Sequence, residues 1–216
     1  NDDYRAQMFR YTNSFKEARF LRAYFYFNLV RAYGDVPYFT EMVTTDQVNS
    51  LTRTPAQEIF NAIIAECDKL STELPADYTK LGLDGIAPAE NGRVTCYAAL
   101  ALKARAALYA ASPLFNPENN KDLWRRAAEA NKEVIETCTA NGFKLSKYSE
   151  LWGPNNWSNN EMIFVRRYNG NISTLEEYNF PMGVPGGNSG NCPTQNMVDA
   201  YEMKATGKMW NETGLS

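Results

Sequence analysis

The stretch from Val94 to Ala111 contains eight alanines, set among Leu100, Leu102, Leu108 and Tyr109. Alanine is the strongest helix former, and its small side chain lets a neighbouring backbone come close. A helix is therefore predicted over about Val94–Ala111. A second follows from Asn119 or Asn120 and ends before Gly142, with Trp124, Ala127, Ala128, Asn131, Ile135 and Cys138 marking its face. The short Pro-containing connection Ser112–Glu118 makes the two an antiparallel hairpin.

Two earlier helices are legible. One is predicted from Ser14, where Glu17 three residues on completes a capping box, to Gly34 as C-cap with Pro37 beyond. Phe20, Leu21, Tyr24, Phe25, Phe27, Leu29 and Ala32 cover more than one of its faces, which predicts burial on two sides. The helical spacing of Tyr24–Phe27 reads as core packing rather than a sugar platform. The other opens at Thr54-Pro55, with Gln57 completing a second capping box, and Pro75 stops it. Its stripe is Ile59, Phe60, Ile63, Ile64, Cys67 and Leu70; Glu58, Asn61, Asp68 and Lys69 fall on the wet side. The small–large alternation of Ala98–Tyr109 suits the nesting of tetratricopeptide pairs, although the 34–54 connection is too long for a regular repeat.

After Gly142 the chain changes character. Glu161–Tyr168 reads as a short strand, Asn169–Pro193 as a loop rich in Gly, Asn and Pro, and Thr194–Met203 as one more short helix. The fold class is mainly α: tetratricopeptide-like helical pairs packed against a loop-rich region with a short strand. Residues 1–145 form the helical scaffold and 146–216 the loop-rich region.

Several function classes drop out on composition. The net charge is −3 and the basic residues are scattered, so nucleic acid finds no electrostatic footprint. Histidine is absent, which removes histidine-dependent triads, bases and metal sites. No apolar run approaches the roughly 20 residues that span a bilayer. Asn1-Asp2-Asp3 shows neither a signal-peptide pattern nor a lipidated Cys. Cys67, Cys96 and Cys138 fall in apolar helical patterns and, with Cys192, are expected as free thiols without metal spacing. Neither a metal nor a cofactor is expected.

Sugar recognition needs aromatic platforms beside amide and carboxylate groups. Trp152-Gly-Pro-Asn-Asn-Trp157-Ser-Asn-Asn160 has that composition. The candidate ligand contacts are Trp157, Trp152, Asn155, Asn156, Tyr168, Asn169 and Tyr178; the competing reading of Trp152 and Trp157 is core packing under a loop. The adjacent acids Glu176-Glu177 are poorly placed to flank a glycosidic bond. Gly183–Gly190 lacks the ending of a phosphate loop.

Seven segments then appear in one order: Glu17–Ala23, Tyr33-Gly-Asp-Val-Pro37, Arg53-Thr-Pro55, Leu74-Pro75, Gly92-Arg93-Val-Thr95, Glu161-Met-Ile-Phe164, and Val198–Met203 with Gly207-Lys208. This order resembles the SusD/RagB-type nutrient-binding family. The resemblance implies a non-catalytic lipoprotein on the outer face of a bacterial outer membrane, held by an N-terminal lipid anchor. It would capture glycan and pass it to a TonB-dependent, SusC-like transporter. It also implies that this sequence is an internal piece of a longer chain. Three readings compete: an oligopeptide-binding member of that family, an intracellular tetratricopeptide adaptor, and a carboxylate-dependent hydrolase.

Overall fold

The computed structural model describes residues 2–78, 92–151, 159–165 and 178–212, and among them the chain forms six α-helices and several short turns. We label the helices α1 (Asp2–Tyr33), α2 (Thr45–Val48), α3 (Ala56–Glu73), α4 (Cys96–Ala111) and α5 (Lys121–Ala140), followed by a one-turn α6 (Gln195–Asp199). The chain divides into two compact units, Asn1–Arg166 and Arg167–Ser216. The first holds α1 to α5. In the described part of the second, α6 is joined by an isolated antiparallel bridge between Glu202 and Met209.

Within the first unit α1 packs on α3, α3 on α4, and α4 on α5, so consecutive pairs stack as in a short solenoid. The α3 stripe Ile59, Phe60, Ile63, Ile64, Cys67 and Leu70 is wholly buried. Each such side chain contributes roughly 1.5–3 kcal/mol by leaving water. Alanine makes the rest possible: Ala98, Ala99, Ala104, Ala106, Ala107, Ala110 and Ala111 are buried, letting α3 and α5 approach α4 from two sides. From α5 come Ala127, Ala130 and Cys138. Lys103 Nζ ties the three layers together, reaching Asp68 on α3 at 2.5 Å and Glu133 on α5 at 2.6 Å.

The 34–54 connection is held by local chemistry. Gly34 adopts φ +68° and its N–H donates to the Val30 carbonyl at 2.8 Å, a left-handed helix end. Val36 is buried and bridges to Thr54. The Tyr26 hydroxyl donates to the Phe39 carbonyl and accepts from the Phe39 N–H, both at 3.1 Å.

Several expectations are corrected. Helix α1 begins twelve residues before Ser14, at Asp2. Tyr4–Asn13 contains no Gly or Pro to break it, and the Ser14 hydroxyl bonds back to the Arg10 carbonyl at 2.6 Å. Glu17 serves elsewhere: it accepts from Arg93 at 2.8 Å and from Asn13 at 3.0 Å. Burial of α1 on two sides also fails: Phe20 and Phe27 are buried, whereas Leu21, Tyr24, Phe25 and Leu29 are exposed. The α3 cap comes from across the connection, since the Ala56 N–H donates to Asp35 Oδ1 at 2.8 Å. Gln57 instead donates to the carbonyls of Ala110 and Phe115, each at 2.7 Å, satisfying the end of α4. The buried face of α5 is rotated from its expected position. Ala130 and the half-buried Leu123 and Val134 pack inward, while Ala128 and Ile135 are exposed. Glu161–Val165 form turns and bends rather than the start of a strand, for no partner edge exists among the described residues. The helix expected over Thr194–Met203 covers only Gln195–Asp199.

The four cysteines are free, with Cys67 and Cys138 buried, Cys96 half-buried and Cys192 exposed. Burial pushes the Cys67 thiol up to about 12, with the neighbouring Glu66 adding to the effect. Two predictions follow from this packing. Alkylation at pH 8, counted by mass spectrometry, modifies Cys192 in the native protein and Cys67 only after denaturation. Phe60→Ala, read by urea unfolding, loses about 3–5 kcal/mol of stability.

Candidate functional site

Helices α1 and α4 both flank α3 but touch each other little, which leaves a groove between them. The α1 wall is one helical face: Phe20, Tyr24, Phe27, Asn28 and Arg31 recur at spacings of three and four. The α4 wall follows the same rule with Ala98, Ala101, Leu102 and Arg105. Ala98 and Ala101 put little volume into the space, so a cavity of about 670 Å³ remains.

Residues 159–165 lie over this cavity and supply Glu161, Met162, Ile163 and Phe164 to its lining, with Leu151 beside them. They are fixed by polar contacts at their base. Glu161 Oε2 accepts the Ser146 N–H at 2.8 Å, and the Ser146 hydroxyl donates to Asn159 Oδ1 at 2.6 Å. The Lys144 N–H donates to the Asn160 carbonyl at 3.3 Å. Phe164 meets Phe20 edge to face, centroids 5.6 Å apart. The chain thus lays its own segment along the face where the two helical pairs open.

The chemistry available in the groove is aromatic, amide and cationic. Tyr24 stacks on Phe20 with rings 6.4 Å apart and nearly parallel, leaving part of its ring in solvent. Asn28 Nδ2 donates to the Tyr24 carbonyl at 3.0 Å. Arg31 and Arg105 each stand over the Phe27 ring, at 5.9 and 5.8 Å from its centroid.

On another side of α1 lies an apolar cleft of about 840 Å³, lined by Leu21, Phe25 and Leu29 with Phe39, Val48 and Leu51 of the long connection. It carries few polar groups able to bond a hydroxyl. Among the described residues no group of acidic or thiol side chains is arranged to hold a metal ion, and no helix is long and apolar enough to cross a membrane.

Of the contacts expected from sequence, Trp152, Asn155, Asn156, Trp157, Tyr168 and Asn169 lie outside the described residues, as do Glu176 and Glu177. Tyr178 is exposed, and its carbonyl accepts the Gly190 N–H at 2.7 Å. A Cβ at position 190 would collide with its ring, so Gly190 is what lets Tyr178 lie there. Sequence reasoning missed the groove residues Tyr24, Asn28, Arg31 and Arg105. The signal was the polar and aromatic residues repeating at helical spacing on faces otherwise assigned to the core.

Comparison with known proteins agrees with this architecture. A family model described as starch-binding and associating with the outer membrane matches residues 3–108. Two SusD-like proteins of Formosa agariphila are 25% and 27% identical, over 68% and 73% of this chain. The chain spans only 24% and 28% of their lengths, about a quarter of these curated relatives. A SusD-like protein of Bacteroides fragilis superposes with a TM-score of 0.64 at 27% identity, covering 90% of this chain and 36% of its own. A SusD-like carbohydrate-binding protein of the same species gives 0.53 at 30% identity, over 69% of this chain and 26% of its own. Surface glycan-binding protein A of Bacteroides fluxus gives 0.50 at 28%, over 69% and 28%.

Removing the Phe164 ring tests whether residues 159–165 are held in the groove by packing. Phe164→Ala forfeits an edge-to-face contact worth about 1 kcal/mol. Hydrogen exchange should show amides of 159–165 opening about fivefold more often, with α3 unchanged.

Proposed function

Because the chain belongs to the SusD-like family, we propose that it captures oligosaccharide or polysaccharide at the outer face of a bacterial outer membrane and hands it to a TonB-dependent, SusC-like transporter. The observation that carries this reading is the family match over residues 3–108, joined to solved neighbours described as carbohydrate-binding and surface glycan-binding. In this reading the protein binds and does not catalyse. The absence of histidine from the sequence favours that view, since a common general base is removed. An N-terminal lipid would supply the membrane contact.

Two competitors lose ground on specific observations. A tetratricopeptide adaptor binds its partner in the groove between helical pairs, and here residues 159–165 of the same chain lie over that groove. An oligopeptide receptor would gain from an exposed strand edge. The described residues offer isolated bridges rather than such an edge.

The stretch Trp152–Asn160 remains our proposed contact region, with Trp157, Trp152, Asn155 and Asn156 as ligand residues and Tyr168, Asn169 and Tyr178 beside them. Trp157 would stack on a sugar ring and the asparagines would pair with its hydroxyls. The test is affinity electrophoresis through gels cast with a panel of soluble polysaccharides. Capture predicts retardation by at least one glycan and its loss in Trp157→Ala. Retardation that survives the substitution moves the contact elsewhere, and mobility unchanged in every gel rejects glycan capture.

A further inference from the structure

Most of the basic side chains that bridge the helices of the first unit are answered by acids. Arg19 meets Glu66 and Glu73, each at 2.6 Å, Arg93 meets Glu17 at 2.8 Å, and Lys103 meets Asp68 and Glu133. Arg31 and Arg105 are different. They come from separate helices to opposite walls of the α1/α4 groove, and neither has a carboxylate within ion-pairing distance among the described residues. Their partner is the single ring of Phe27. Two cations gathered on one ring repel each other, and the ring's quadrupole offsets only part of that cost. An oxyanion bound in the groove would offset that repulsion.

The remaining lining says what kind of molecule could carry that oxyanion. Tyr24 shows part of its ring to the groove mouth, and Asn28 spends its amide N–H on the Tyr24 carbonyl, so its Oδ1 is left as an acceptor for a hydroxyl. An aromatic face, an amide oxygen and planar guanidinium forks suit a pyranose bearing a carboxylate or a sulfate ester. The groove holds one acid, Glu161, and its Oε2 already accepts the Ser146 N–H at 2.8 Å. We propose that the α1/α4 groove is a subsite for an acidic glycan, with Arg31 and Arg105 clasping the anionic group. The proposal rests on the glycan-capture reading and adds the charge class of the sugar and a second contact region.

The experiment is isothermal titration calorimetry of the chain with three oligosaccharide probes of matched length: oligogalacturonate, a sulfated galactan fragment and neutral galactan. Oligoglutamate serves as an acidic peptide control. Arg31→Gln and Arg105→Gln are made singly and together; both side chains are exposed, and unchanged thermal unfolding confirms that the fold is kept. At least one acidic glycan should bind more tightly than the neutral one and weaken with added salt. Each substitution should then lower that affinity about tenfold, the loss of a charge-assisted contact, while leaving neutral galactan untouched. Preference for oligogalacturonate identifies the carboxylate as the anion, and preference for the sulfated fragment identifies the sulfate ester. Binding of neutral galactan alone, or acidic binding indifferent to both arginines, overturns this inference and leaves glycan capture standing. Oligoglutamate binding as tightly as either acidic glycan overturns it in favour of peptides. Absence of binding by all three glycans overturns this inference, and the electrophoretic panel then decides glycan capture separately.

Discussion

Helix α4 has α3 on one side and α5 on the other, and its alanines set how close both can come. Larger side chains there would push the two helical pairs apart and break the burial of the α3 stripe, because interiors pack at near-crystalline density. The α3 stripe in turn seats α1. The groove is what remains where α1 and α4 diverge above α3, so its width is set by the same alanines. Lys103 reinforces the arrangement with one ammonium shared between an acid of α3 and an acid of α5.

Polar contacts then decide how the connections run. Residues Glu17, Asn13, Tyr78 and Arg93 form a cluster in which Asn13 donates to the Tyr78 hydroxyl at 2.9 Å and that hydroxyl donates to the Val94 carbonyl at 2.8 Å. Burial raises the Tyr78 phenol well above its ordinary range, so it stays neutral and keeps donating. The cluster joins the middle of α1 to the entry of α4. On the far side, Asp35 reaches from the end of α1 to cap α3. Two segments that suggested the family, Glu17–Ala23 and Gly92–Thr95, meet through the Glu17–Arg93 ion pair. A third, Tyr33–Pro37, is the turn that carries the α3 cap. Their recurrence is a record of joints.

The helices were legible because their signals are local. Alanine density marked α4, the six-residue stripe marked α3, and Asn120 does cap α5 by accepting the Asp122 N–H at 2.9 Å. Caps supplied from a distance were not legible: nothing near Thr54 announces that Asp35 will satisfy Ala56. The start of α1 was missed because Ser14 and Glu17 satisfy the capping-box pattern while serving other partners. The groove was harder still. Arg31 and Arg105 lie far apart in sequence and meet only over Phe27, so no window of the chain contains both.

Residues 159–165 lie over the groove while joined to the same polypeptide, and that tether has a thermodynamic meaning. A segment on a short tether meets its cleft at an effective concentration on the order of millimolar. A free peptide of equal intrinsic affinity would have to reach that concentration before it displaced half of the resident segment. The scaffold therefore screens out dilute peptides by mass action alone, while small polar molecules that fit beside the segment meet no such competition.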